Sequence, residues 1–182
     1  MGRPATHMAT HPYAQFSDNG DACTILRPDT PTPWTNVISN RHYGVVISNT
    51  GAGFAFLDNS QLNVISRWDM DLIRDDRGRF IYATDLDTRQ TWSLSPSPCR
   101  TVFDHYECMH RLGSTTFKTS FNEIEAEWTL AVAPKDPVEV WHVTLKNTSS
   151  RARTLRICSS FEWCCGSAPD GKREVHKLFI TT

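Results

Sequence analysis

Histidine, cysteine and acidic side chains that fall close together are where a chain could hold a metal or activate a nucleophile. The densest such string is His105-Tyr106-Glu107-Cys108-Met109-His110. On a strand, Cys108 and His110 share one face while His105 points to the other, so the string reads as strand residues and no metal site is assigned. Asp69, Asp71, Asp75 and Asp76 gather around Arg74, Arg77 and Arg79. A calcium loop needs alternating oxygen ligands closed by a bidentate carboxylate, and no glutamate follows at that spacing. A solvated loop of interleaved charges is the expectation there. Neither GxSxG nor the phosphate loops GxxxxGK[ST] and GxGxxG occur, so no catalytic residue and no cofactor is assigned. The cysteines (Cys23, Cys99, Cys108, Cys158, Cys164, Cys165) contain no CxxC, and they read as buried, reduced thiols.

Aromatic rings are the remaining chemistry, because their faces grip the apolar faces of sugar rings. The chain has 6 tryptophans. Trp128, Trp141 and Trp163 fall on inward phases of alternating segments and are expected in the core. Trp34 lies in a proline-rich loop, and Trp68 and Trp92 fall near loop edges; they are sugar platforms or, as the favoured reading, core or loop-anchoring rings.

The segments that must carry these residues alternate with a period of two. Ile124, Ala126, Trp128, Leu130 and Val132 face one way, and Glu123, Glu125, Glu127 and Thr129 the other. That is a half-buried strand with a wet outer face. Trp141, Val143 and Leu145 form a second inward set, and Leu155, Ile157, Phe161 and Trp163 a third. Shorter strand-like runs are Tyr43–Ser48, Gly53–Leu57, Phe80–Thr84, Thr91–Leu94, Thr116–Phe121 and Lys177–Thr181. Turn residues separate them, as in Thr50-Gly51-Ala52-Gly53 and Pro134-Lys135-Asp136-Pro137. No apolar stripe holds helical spacing for three turns. An all-β fold of large antiparallel sheets packed face to face is expected.

Length and charge bound the partners. With 182 residues, a net charge of -1 and 39% hydrophobic residues, the chain reads as one globular domain or part of a larger one. No basic stripe marks a nucleic-acid partner. No apolar run reaches the roughly 18 residues of a membrane span, and residues 1–20 lack a secretory h-region. A cytoplasmic location is therefore expected. The strand-like run at the C-terminal end suggests a sequence that continues in its natural context.

Several strings, taken in order, go further. They are Tyr13, Phe16-Ser17-Asp18, Ile25-Leu26-Arg27-Pro28-Asp29-Thr30-Pro31-Thr32-Pro33-Trp34-Thr35-Asn36 and Gly51-Ala52-Gly53-Phe54. Asn59-Ser60-Gln61-Leu62-Asn63, Arg67-Trp68 and Ile81-Tyr82-Ala83-Thr84-Asp85 follow. Trp92-Ser93-Leu94-Ser95-Pro96-Ser97-Pro98, Lys146-Asn147-Thr148-Ser149 and Phe161-Glu162-Trp163 complete the series. In this order residues 13–182 resemble the N-terminal region of glycoside hydrolase family 94, formerly glycosyltransferase family 36. That family holds the cellobiose, cellodextrin and chitobiose phosphorylases, and the resemblance reaches the phosphorylase-like tail of cyclic β-1,2-glucan synthases.

The resemblance implies a galactose-mutarotase-like antiparallel β super-sandwich over 13–182, incomplete at its C-terminal end and preceded by a flexible segment, 1–12. It implies a homodimer acting on a β-linked gluco-oligosaccharide by inverting phosphorolysis, with inorganic phosphate as co-substrate. In that family the general acid and the phosphate pocket lie on an (α/α)6 barrel, which this chain lacks, so the chain alone is expected to be inactive. Its implied role is dimerisation and shaping of the substrate site. Asp29, Trp34, Asn36, Asn59 and Arg67 lie on matched loop strings and are the candidates to face a sugar or the partner subunit. Loop pinning is the alternative for all five, since Asp and Asn commonly bond nearby backbone groups. A stand-alone carbohydrate-binding module, or an inactive truncated remnant, is the alternative for the whole chain.

Overall fold

The computed structural model describes residues 11–69, 71 and 73–167. The expected flexible segment 1–12 falls mostly outside that range, and the run Lys177–Thr181 falls wholly outside it. The strands in chain order are β1 Ala14–Phe16, β2 Ala22–Ile25, β3 Thr35–Ser39, β4 Tyr43–Ser48, β5 Gly53–Leu57, β6 Val64–Ser66 and β7 Arg79–Asp85. They continue as β8 Thr91–Ser93, β9 His105–Arg111, β10 Ser114–Phe121, β11 Ile124–Val132, β12 Glu139–Asn147, β13 Leu155–Phe161 and β14 Trp163–Gly166. The described residues contain no helix long and apolar enough to cross a membrane.

The strands form a six-stranded sheet ordered β1-β2-β9-β10-β11-β12, a five-stranded sheet ordered β14-β6-β5-β4-β3, and a three-stranded sheet ordered β13-β7-β8. Neighbours in all three pair antiparallel. β11 shows why the alternation works. Ile124, Ala126, Trp128 and Leu130 are buried, while Glu125 and Glu127 between them are exposed. Opposite charges then pair across strands on the wet face, Lys146 with Glu125 and Lys118 with Glu127.

The core lies where the sheets face one another. Val45, Ile47 and Ala55 of the five-stranded sheet, Ile81, Ala83 and Trp92 of the three-stranded one, and Cys108, Phe117, Trp128 and Leu130 of the six-stranded one form a single cluster. Gly53 is needed where β4 turns into β5. Its φ of 143° suits glycine, and a Cβ there would run into the Val46 carbonyl oxygen.

One aromatic placement is decided among its alternatives and another differs from the sequence reading. Trp92 is 2% exposed, so the core alternative holds for it: it sits on β8 with its ring against Phe121 of the six-stranded sheet. Trp163 is 58% exposed although its phase along the chain is inward. Phe161 and Trp163 keep one side, their rings stacked, but β13 and β14 belong to different sheets and β13 is itself mostly exposed, so the inward set does not form one buried face among the described residues. All six cysteines are free, but only Cys108 and Cys164 are buried; Cys99, Cys158 and Cys165 are exposed.

Candidate functional site

The five loop residues singled out above fall into separate places. Asp29 is chelated by Arg27, with Nε to Oδ1 at 3.0 Å and Nη2 to Oδ2 at 2.6 Å. The Arg27 contact holds the Asp29 carboxyl below its ordinary value. Trp34 is half-buried, and its backbone is held by Asn49. The Trp34 N–H donates to Asn49 Oδ1 at 2.9 Å and its carbonyl accepts from the Asn49 N–H at 2.8 Å. Asn36 donates from Nδ2 to the Arg111 and Ser114 carbonyls and to Thr115 Oγ1, tying β3 to the β9–β10 turn.

Asn59 lies at the other end of the five-stranded sheet, beside the β3–β4 turn. Its Oδ1 accepts from the backbone of Gln61 and Leu62. Arg67 follows β6, with Nε on Asp69 Oδ1 at 2.8 Å and its backbone N–H on the Glu162 carbonyl. Each candidate therefore bonds its local surroundings, and only Asp29, Trp34 and Asn36 share a neighbourhood.

Asn49 organises that neighbourhood, although its Ser-Asn-Thr-Gly context reads only as a turn. Fully buried, it donates to the Pro28 carbonyl, accepts from Thr30 Oγ1, and offers its own carbonyl to the Tyr106 hydroxyl at 2.5 Å. His110 joins the same network. Its Nε2 faces the Trp34 carbonyl at 3.1 Å, an acceptor, so that nitrogen carries the proton. Its Nδ1 is then free to accept from Thr115 Oγ1 at 3.0 Å. Burial lowers the His110 pKa, which keeps the ring neutral.

The acidic loop is less solvated than its composition suggests. Asp75 is 4% exposed and accepts from Ser48 Oγ, Thr50 Oγ1 and the Trp68 indole. Its backbone carbonyl accepts from Ser97 Oγ at 2.6 Å. Trp68 stacks on Phe54 with ring centres 5.7 Å apart, so it anchors this loop.

A groove also opens elsewhere, at the rim of the sandwich beside β12 and β13. It measures ≈ 430 Å³ and is lined by Tyr43, Arg79, Glu139, Trp141, Phe161 and Trp163, among others. A row of rings leads out to it from the core. Phe117 stacks on Trp128 (5.1 Å, 20°), and Trp128 meets Trp141 edge-on (5.4 Å). Trp141 then stacks on Phe161 (5.1 Å, 19°) and Phe161 on Trp163 (5.3 Å, 8°).

The polar floor of the groove is a buried ion pair. Glu139 Oε1 accepts from Arg79 Nε at 2.7 Å and from Trp141 Nε1 at 2.6 Å. Glu139 Oε2 accepts from the Tyr43 hydroxyl at 3.2 Å. Burial, reinforced by the Glu139 charge, pushes the Tyr43 phenol well above its ordinary value, so it stays a neutral donor. Such an arrangement offers a flat apolar wall over a charge-balanced pair, and it holds no nucleophile with an adjacent base.

The sequence pattern of the family described as Glycosyl hydrolase 94, supersandwich domain, matches residues 22–182. Among curated proteins, N,N'-diacetylchitobiose phosphorylase of Vibrio proteolyticus is 31% identical over 153 residues, covering 83% of this chain and 19% of its own length. The N,N'-diacetylchitobiose phosphorylase of Vibrio furnissii is 33% identical over 145 residues, covering 79% and 18%. Cyclic beta-(1,2)-glucan synthase NdvB of Rhizobium meliloti is 31% identical over 138 residues, covering 76% and 5%. The chain thus spans about a fifth of the length of the phosphorylases it matches.

Proposed function

From the premise that the chain belongs to the glycosyl hydrolase 94 supersandwich family, we propose that it is the supersandwich part of an inverting phosphorylase of a β-linked gluco-disaccharide or oligosaccharide. The observation that carries this reading is the match over residues 22–182, joined to relatives whose names are phosphorylases.

An inverting glycosidase needs one carboxylic acid at the leaving oxygen and a base to activate water. When phosphate itself attacks the anomeric carbon, the base is dispensable, and cationic and hydroxyl donors must hold the phosphate instead. We assign neither the acid nor a phosphate pocket to this chain. Its proposed contribution is dimerisation, support of a catalytic barrel, and shaping of the acceptor side, with Asp29 and Trp34 of the loop before β3 and Asn36 of β3 as the candidates nearest to one another. Inorganic phosphate is the proposed co-substrate, and the cytoplasm the proposed location.

The test is to express the gene's whole reading frame and supply inorganic phosphate with cellobiose, laminaribiose, sophorose or chitobiose. Sugar 1-phosphate that forms only when phosphate is present, from a protein sedimenting as a dimer, is the expected result. The 182-residue chain by itself should form none under the same conditions. A folded full-length protein with no phosphate-dependent product from any of the four overturns the reading.

A further inference from the structure

β1 ends the six-stranded sheet and, among the described residues, pairs only with β2. The tip of their hairpin is Ser17-Asp18-Asn19-Gly20-Asp21, with the last four residues exposed. Two backbone bonds hold it, from the Ser17 N–H to the Ala22 carbonyl at 2.9 Å and from the Gly20 N–H to the Ser17 carbonyl at 2.8 Å. Gly20 has a φ of 75°, in the left-handed region, and open space where a Cβ would stand. The Asn19 side chain folds back over the Gly20 peptide group, its Oδ1 accepting from the Asp21 N–H at 3.5 Å. Asn19 is the only asparagine of the chain that precedes a glycine.

We propose that Asn19 is a site of spontaneous covalent modification, converting through a succinimide to isoaspartate and aspartate with water as the co-reactant. The Gly20 backbone nitrogen attacks Asn19 Cγ and closes an imide ring. The Gly20 N–H proton leaves with the side-chain nitrogen as ammonia, and nothing is oxidised or reduced. Water then opens the ring. Opening at the Asn19 backbone carbonyl carbon leaves the chain running through Cγ, as isoaspartate; opening at Cγ leaves aspartate. The fold favours this residue over the other asparagines. Gly20 puts no side chain in the way of the ring, and the carboxamide already lies over the attacking peptide group. The bond that must open, from Gly20 to Ser17, sits at an exposed tip beside an edge strand of three residues, where fraying leaves the rest folded. Asn49, by contrast, is fully buried with both ends of its carboxamide bonded, and Asn59 Oδ1 is held by two backbone N–H groups. Either product adds a carboxylate beside Asp18 and Asp21. Isoaspartate also lengthens the backbone of a turn that fixes the pairing of β1 with β2.

The inference holds or fails in this chain whatever reaction the full protein performs. The experiment keeps the folded 182-residue chain for weeks in warm, mildly alkaline buffer, beside a sample held unfolded in guanidinium chloride and an Asn19→Gln chain. Peptides are then mapped by mass, and isoaspartate is counted by transfer of labelled methyl groups with an isoaspartate methyltransferase. The peptide containing residues 17–21 should gain the mass difference between a hydroxyl and an amino group, ahead of the peptides containing Asn49 and Asn59. Its rate in the folded chain should lie within about tenfold of the unfolded sample, as for a tip that opens at little cost. Most of the methyl label should disappear in Asn19→Gln, whose longer side chain closes the ring far more slowly.

A 17–21 peptide that keeps its mass in the folded chain, or gains it more than about tenfold more slowly than in the unfolded sample, overturns the proposal and means that the Gly20–Ser17 bond shields the nitrogen. Conversion at Asn49 or Asn59 ahead of Asn19 overturns it equally. So does methyl label that is undiminished in Asn19→Gln.

Discussion

His110 is the clearest case of one side chain whose protonation is tied to the fold. Burial lowers its pKa from the ordinary 6.5, and the neutral ring bridges the Trp34 carbonyl and Thr115. The unfolded chain takes up a proton near pH 6.5, whereas the folded chain resists until a lower pH. Stability from this group is therefore present above 6.5 and lost as pH falls from there towards the folded value. Urea melts between pH 8 and 5 should show the midpoint falling below pH 6.5, and the fall should shrink in His110→Gln. An identical pH profile in the variant would mean that other groups carry the acid sensitivity. Asn49 is the matching case without a charge, a buried amide whose contacts define the 28–34 loop.

At the level of the element, β11 concentrates the energetics. Its inner residues stack and interdigitate with both neighbours: Phe117 lies directly across from Trp128 on β10, and Leu130 across from Trp141 on β12. Trp128→Ala should cost about 3–5 kcal/mol, since it deletes a ring that is 0% exposed and touched from two sides. Thr129→Ala, one residue on and facing outward, should cost about 0.5 kcal/mol or less. Chemical denaturation of the pair reads the burial phase directly, and equal losses would contradict the register. Strands at the rim follow a different rule. β12 keeps its inward set only half-buried and β13 is exposed almost throughout, because the facing layer thins out where the groove opens.

Across the whole molecule, the sheets are locked by buried charge rather than by strand pairing alone. Arg153, in the loop before β13, sits fully buried against Asp85 of β7 and donates from Nη1 to the Asn122 carbonyl at the β10–β11 turn. That one guanidinium joins the three-stranded sheet to the six-stranded one. Burial alone would raise the Asp85 pKa, yet the Arg153 and backbone hydrogen bonds hold it below 3.8. The pair therefore contributes stability above that pH and loses it as pH falls through the folded value. Arg153→Met should lower the thermal midpoint clearly more than Arg151→Met, whose side chain is 48% exposed. Similar midpoints for the two variants would remove the inter-sheet role.

What the amino-acid order determined by itself was the fold class and the main strands. Tyr43–Ser48 and Gly53–Leu57 are strands between those same residues, because short apolar, β-rich runs bounded by turn residues are signals that act over a few residues. The short strands β1, β2, β3 and β6 carry no such run. β2 and β6 are held by partners distant in sequence, β9 and β14, whereas β1 and β3 are edge strands paired only with their neighbours β2 and β4. Only the tertiary structure decided which faces are covered. Trp163 follows an inward phase and Trp92 falls at a loop edge, yet it is Trp92 that lies under a sheet and Trp163 that lies beside a groove. Asp75, Asn49 and the Arg79–Glu139 floor were equally hidden, because their partners come from segments far along the chain. Alternation is local, whereas burial and the pairing of buried charge depend on what the rest of the chain lays over each face.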